Sequence, residues 1–321
     1  MRPLQGSIRV ECGNPRATPR IGQPLDSSLW RTEEGLLDEE YGVHIGFPSS
    51  AEIVLRAEHP CAEWFSWALQ LHALRNQAAL VHASGLERNG TAVLLATHSG
   101  FGKPALAGDS LRRDGWRLLG DNLTLLRADG MCFGYPRASV QRKDQPFVPE
   151  GLAHSSGPRA LSGPVGRAGR FLQPLLRKVP WLNSARGLNP HTTPVAPSDT
   201  SARDRRLAYA PLDSVVLLQR RANLPSAQLR PTTGSVAAQL LHGTVSDFDA
   251  RCLRICNVAM SLGLLDLETP YGVWIDVLRA GLVRARSYTL YAPENLPLEE
   301  IPGVVHELLD GTGIAPLKRA V

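Results

Sequence analysis

The stretch Leu94-Leu-Ala-Thr-His-Ser-Gly-Phe-Gly-Lys-Pro-Ala-Leu106 decides how this chain of 321 residues is read. Thr91 to Ala96 is an apolar run with strand character, Ser99 to Lys103 is a glycine-rich turn, and Pro104 to Arg113 has helical spacing. A phosphate-binding loop needs strand, turn and helix in that order. Glycines let the backbone close around a phosphate chain, the helix start presents free N–H groups, and a lysine reaches the terminal phosphates. The full pattern is Gly-x-x-x-x-Gly-Lys-Ser/Thr, and here Thr97 stands at the first glycine while Pro104 stands at the hydroxyl that would hold Mg²⁺. Proline is tolerated in a first helical turn, where its missing N–H breaks no intrahelical bond. The loop shape survives the substitution and the metal ligand does not.

Two neighbouring segments add chemistry. Upstream, Ala79 to Ala83 reads as a strand carrying His82, and Glu87-Arg-Asn-Gly90 is a hairpin signal that joins it to Thr91–Ala96. Downstream, Trp116-Arg-Leu-Leu-Gly-Asp121-Asn122 ends an apolar strand with an acid about twenty residues past Lys103. An aspartate at such a strand end can hold Mg²⁺ or take a proton from a substrate hydroxyl. The bland alternatives are a turn aspartate that caps backbone N–H groups and a hydrogen-bonded core histidine.

In sequence order, His82, the hairpin, the Gly-Lys turn, a helix and Asp121 resemble the HPr kinase/phosphorylase family and its kinase-like relatives in peptide-modification and other biosynthetic pathways. The matching residues are Val81-His82-Ala83, then Ser99-Gly100-Phe101-Gly102-Lys103 with Leu106, then Leu118-Leu119-Gly120-Asp121 with Leu126, and Tyr135-Pro136-Arg137. The resemblance covers roughly residues 79–140. It implies an α/β fold with a P-loop core similar to that of phosphoenolpyruvate carboxykinase, preceded by a small β-rich region. It also implies ATP as the nucleotide and a hydroxyl of a peptide, protein or small biosynthetic intermediate as the acceptor. The roles implied are a nucleotide cradle over Ser99–Ala105, with Lys103 on the phosphates; Asp121 as base or metal ligand; His82 beside the acceptor; and Arg137 and Asn122 on phosphate or substrate.

Four departures bear on activity: Thr97 for glycine, Pro104 and Ala105 for the residues after the lysine, and Asn122 for the second acid. Two accounts fit them. In one, phosphoryl transfer continues, because it depends mainly on positioning and charge stabilisation. In the other, the chain binds a nucleotide or partner without transfer.

Composition bounds the rest. With 43% hydrophobic and 20% charged residues, the chain is long enough to bury a sizeable core. No apolar run approaches the roughly 20 residues of a bilayer helix, and Met1 to Cys12 carries no signal-peptide core, so a cytoplasmic location is expected. Five scattered cysteines fit a reducing compartment. Cys252 and Cys256, four apart on a predicted helix, read as core packing, since no zinc partners accompany them. The net charge of +5 conceals a block: Arg137 to Arg206 holds twelve Lys and Arg against four acids, which favours an anionic partner. Few aromatics interleave it, so nucleic acid is not expected.

The organisation predicted is an N-terminal β meander over 1–58, then a core over 59–321 with 141–206 as a basic, Pro/Gly-rich insertion or lid. Helices are expected over Cys61–Ala79, Ser235–His242, Asp249–Leu262 and Leu298–Leu309, with Trp64, Trp67 and Leu71 as core positions and a partner-binding stripe with Glu63 as the alternative. Strands are expected over Asp213–Gln219 and Arg286–Tyr291. Self-association is a further expectation from the resemblance.

Overall fold

The structure, a computed structural model, describes residues 6–49, 52–58, 62–97, 109, 115–120, 122–134, 139–142, 192–195, 209–232, 234–246, 250–265, 270–297 and 300–311. Among the described residues it is a mixed α/β chain with more strand than helix. Among the described residues the helices are α1 (Ala62–Arg75), α2 (Val236–Val245), α3 (Ala250–Ser261), α4 (Pro270–Leu282) and α5 (Ile301–Gly311). No helix there is long and apolar enough to cross a membrane. The described residues fall into two compact units, one within 6–76 and 250–273, the other within 77–142, 192–246 and 274–311.

The first unit holds a five-stranded sheet of β1 (Ser7–Cys12), β2 (Leu29–Arg31), β3 (Gly35–Asp38), β4 (Val43–Ser49) and β5 (Glu52–Ala57), in the order β1-β5-β4-β3-β2. Strands β2 to β5 are the expected antiparallel meander. β1 departs from it: it lies parallel to β5, with Ser7 opposite Glu52 and Cys12 opposite Ala57. A parallel pair cannot be joined by a tight turn, and here the 3₁₀ turn Pro15–Ala17 and strands β2 to β4 all lie between β1 and β5 in sequence.

Alternation at period two turns Val43, Ile45 and Phe47 of β4 and Ile53, Leu55 and Ala57 of β5 to one face. Helix α1 meets that face with Trp64, Trp67, Ala68 and Leu71, and α3 meets it with Cys252, Ile255, Cys256 and Ala259. Trp64 stands edge-on to both Tyr41 and Trp67, at 6.2 and 6.3 Å between ring centroids. Burying each such side chain contributes about 1.5–3 kcal/mol or more. The tryptophan stripe is therefore core, as is the cysteine pair; the side chain of Glu63 lies outside the described residues.

The second unit is built on a nine-stranded sheet. Its strands are β6 (Ala78–Val81), β7 (Ala83–Arg88), β8 (Thr91–Ala96), β9 (Trp116–Gly120), β10 (Thr124–Arg127), β11 (Met131–Gly134), β14 (Tyr209–Arg221), β15 (Gln228–Pro231) and β16 (Arg286–Pro293). Strands β12 (Ser139–Arg142) and β13 (Thr192–Val195) pair separately as an antiparallel ribbon. The main path runs β6-β10-β11-β14-β8-β7-β9, with β16 on β14 and β15 on β16. Strands β8, β14 and β16 are mutually parallel. Leu86, Val93, Leu95, Trp116, Leu118, Val216, Leu218 and Leu290 form a core on one face, capped by Ile301 and Val305 of α5.

The hairpin signal is correct in its turn and shifted in its first arm. Asn89 (φ +52°) and Gly90 (φ +83°) take the left-handed conformations that a type I′ turn requires. The arm facing β8 is β7, however, because the chain bends at His82 and leaves β6 to pair with β10. Within β7, Glu87 is buried and ion-paired to Arg117 of β9. Helix α4 and strand β15 carry no strong sequence signal: α4 is rich in β-branched residues and glycine, both poor helix formers. Its Trp274, Val277 and Leu278 are nonetheless buried at helical spacing.

Candidate functional site

Sheet register brings the three motif segments together. Ala83 lies opposite Ala96 across the β7–β8 pair, so His82 and Thr97, the next residue outward on each strand, lie at the same edge of the sheet. Gly85 lies opposite Gly120, and β9 runs in the same sense as β8, so β9 also ends at this edge. Ala96 is opposite Leu217 of the parallel strand β14. The carboxyl ends of parallel strands, beyond which ligands of open α/β sheets bind, are thus the place where the Gly-Lys segment begins.

His82 is held from three sides. Its backbone N–H donates to Thr244 Oγ1 at 2.9 Å, and that hydroxyl donates onward to the Leu240 carbonyl at 2.7 Å within α2. Its Nδ1 lies 3.3 Å from the Gly243 carbonyl, and its Nε2 lies 2.9 Å from Asn122 Oδ1. A carbonyl only accepts, so Nδ1 carries a proton. Nε2 accepts from the Asn122 amide in the neutral ring and donates to its oxygen in the imidazolium, and the two amide orientations have the same shape. The ring thus has one nitrogen committed to the last turn of α2 and the other turned to the residue after Asp121.

Glycine 120 makes the turn beside this contact possible. A Cβ there would run into the Leu123 backbone carbonyl and approach Thr124 Oγ1 at 3.2 Å. The Thr124 hydroxyl itself donates to the Ala83 carbonyl at 3.1 Å, tying β10 to the strand that follows His82. Thr97, at the position of the first loop glycine, is buried.

His82 and Asn122 are therefore brought together. The expected cradle residues Ser99, Gly100, Phe101, Gly102, Lys103, Pro104 and Ala105 lie outside the described residues, as do Asp121, Arg137 and most of the 141–206 segment. Among the described residues no group of three or more His, Cys, Asp or Glu could hold a metal ion. The buried pair Cys252 and Cys256 is no exception, and burial pushes the Cys256 thiol up to about 12. Sequence reasoning missed Gly243 and Thr244, which lie 161 and 162 residues from the histidine they hold. The helix expected over Ser235–His242 stops short of them, whereas the observed helix runs on to Val245, and nothing local marks which residue it presents.

No protein-family description matches the chain, and no curated protein matches it. Among solved structures, the Hpr(Ser) kinase/phosphatase from Coxiella burnetii is similar with a TM-score of 0.31 and 11% identity, over 73% of this chain and 97% of that one. At that score the likeness carries over neither that protein's fold nor its activity.

Proposed function

We propose that the chain is a kinase-like phosphotransferase that uses ATP to phosphorylate a hydroxyl of a peptide, protein or small biosynthetic intermediate. The observation that supports it is the register: His82, the strand end that leads into Ser99–Lys103, and the strand end that leads into Asp121 lie at one edge of the sheet. In this reading Lys103 and the loop backbone hold the β- and γ-phosphates, and Arg137 neutralises charge. Asp121 takes the acceptor proton as the acceptor oxygen bonds to the γ-phosphorus and the bond to the ADP oxygen breaks. His82, through Asn122, orients that end of β9.

The residues present do not complete a Mg²⁺ site in the usual manner. Pro104 has no hydroxyl, and Asn122 contributes a neutral amide already engaged by His82. Asp121 is the one carboxylate of the motif. The same Asn122 contact favours a second reading, a nucleotide-binding protein without transfer.

Calorimetry with ATP, with and without Mg²⁺ or Mn²⁺, combined with turnover assays, tests both. Binding and turnover lost on Lys103→Ala, with turnover alone lost on Asp121→Ala, is the expected result. ATP binding by the wild type with no turnover in the presence of either metal favours the second reading, and absence of binding at millimolar ATP overturns both.

A further inference from the structure

Among the described residues, strand β1 is a sheet edge paired on one side alone. Strand β2, at the opposite edge, is covered by its own chain through the Ile21–Arg31 bridge and the Leu25 to Leu29 hydrogen bond. Among the described residues β1 pairs with β5 on one side and with no strand on the other. Gly13 donates its N–H to the Ala57 carbonyl, which fixes the phase of the strand: odd-numbered residues point their backbone groups to β5. Ile8, Val10 and Cys12 therefore point theirs outward. Unpaired edges of this kind template pairing with another chain.

The side chains select the partner. Ile8, Val10 and Cys12 alternate with Ser7, Arg9 and Glu11. Ile8 packs on the core while Val10 stays 42% exposed and Cys12 is exposed. In an antiparallel pairing of two copies centred on Val10, each Arg9 faces the other copy's Glu11, and Ile8 faces Cys12. The outward backbone groups of residues 8, 10 and 12 then form the hydrogen-bonded pairs. Arg9 and Glu11 fall at the non-hydrogen-bonded pairs, where side chains approach most closely. A register centred on Arg9 or Glu11 would oppose like charges. Glu11 already pairs with Arg56 and Arg9 with Glu52, so the new contacts extend an alternating row of charge across the twofold axis.

We propose that β1 is a homodimerisation edge, on which a second copy of this chain adds its own β1 antiparallel in the Val10-centred register to give a continuous ten-stranded sheet. A self-complementary strand is what an isologous twofold contact requires.

Sedimentation equilibrium of the full chain over a concentration series tests it. The wild type is expected to dimerise. Arg9→Glu and Glu11→Arg each place like charges opposite and should weaken self-association roughly tenfold or more. An equimolar mixture of the two variants restores complementarity and should recover a heterodimer. Val10→Pro removes an outward N–H that β5 does not use, so it should abolish the dimer while circular dichroism stays unchanged. A wild type that is monomeric throughout, either charge variant associating as tightly as wild type, or a mixture with no heterodimer would overturn the proposal.

Discussion

Ala83 and Ala96 are thirteen residues apart in sequence and directly opposed in the sheet, and this one pairing puts His82 and Thr97, the next residue on each chain, at the same edge of the sheet. The hairpin between them is closed by the Asn89-Gly90 turn, so a local turn preference sets the position of two residues of the candidate site.

Thr244 joins that site to helix α2. Its buried hydroxyl accepts from the His82 backbone and donates to Leu240. Thr244→Val keeps the shape and strands the His82 N–H, which is expected to cost about 1–3 kcal/mol in urea unfolding. Thr244→Ser should recover most of it. Equal stability of the valine variant and wild type would show that the His82 N–H has another partner.

Gly120→Ala inserts a Cβ against the Leu123 carbonyl, backbone that has little room to yield. A loss of about 1–3 kcal/mol is expected from the strain. If nucleotide binding depends on the end of β9, the same variant weakens ATP binding in calorimetry more than a surface substitution such as Arg279→Ala does.

Asp213 sits at a register shift in β14 and is paired to Arg286 of β16, 2.6 Å away, with the carboxylate side chain only 3% exposed. Removing the cation leaves a buried charge. Arg286→Met should destabilise by about 3 kcal/mol, the lower end for buried pairs because the arginine is partly exposed. Adding Asp213→Leu should restore much of the loss, and thermal unfolding of the single and double variants measures the coupling.

Acid should weaken the first unit through His44. It is buried in β4 with Nε2 3.0 Å from Thr32 Oγ1 and, among the described residues, no partner for Nδ1. Burial, aided by Arg56 and opposed by Glu11, lowers its pKa from 6.5 to about 4. The unfolded chain thus binds the extra proton first. Stability is full above the unfolded value and falls as pH drops from about 6.5 to about 4, by on the order of 3 kcal/mol. His44→Gln should flatten urea midpoints across that window. An unchanged slope in the variant would assign the acid sensitivity to other groups.

Cys132 and Cys256 should be inert in the folded chain. Burial raises both thiols, Cys256 to about 12, so little thiolate exists at pH 8. In a Cys12→Ser, Cys61→Ser background, a thiol reagent is expected to react only at the rate of unfolding. A fast phase would show that the structure around one of the buried cysteines opens independently of global unfolding.

The sequence by itself determined the local elements. Alternating runs marked β4 and β5, apolar runs marked β8 and β14, a short run of strand-forming residues marked β16, helical spacing marked α1, α2, α3 and α5, and Asn89-Gly90 marked a turn whose φ values only those residue types adopt readily. Each depends on neighbours within a few residues, where steric and apolar preferences act directly. Pairing across long separations was decided by the tertiary structure alone. β1 could not be known to lie parallel to β5, because its alternation suits either sense of pairing. That α1 and α3 share one apolar face, and that Gly243 and Thr244 hold His82, depends on which surfaces remain unburied after the sheets form, and no local pattern encodes that. His82 and Asn122 were legible as candidates from motif order. Their hydrogen bond required two strands, separated by the whole loop segment, to end at the same edge of one sheet.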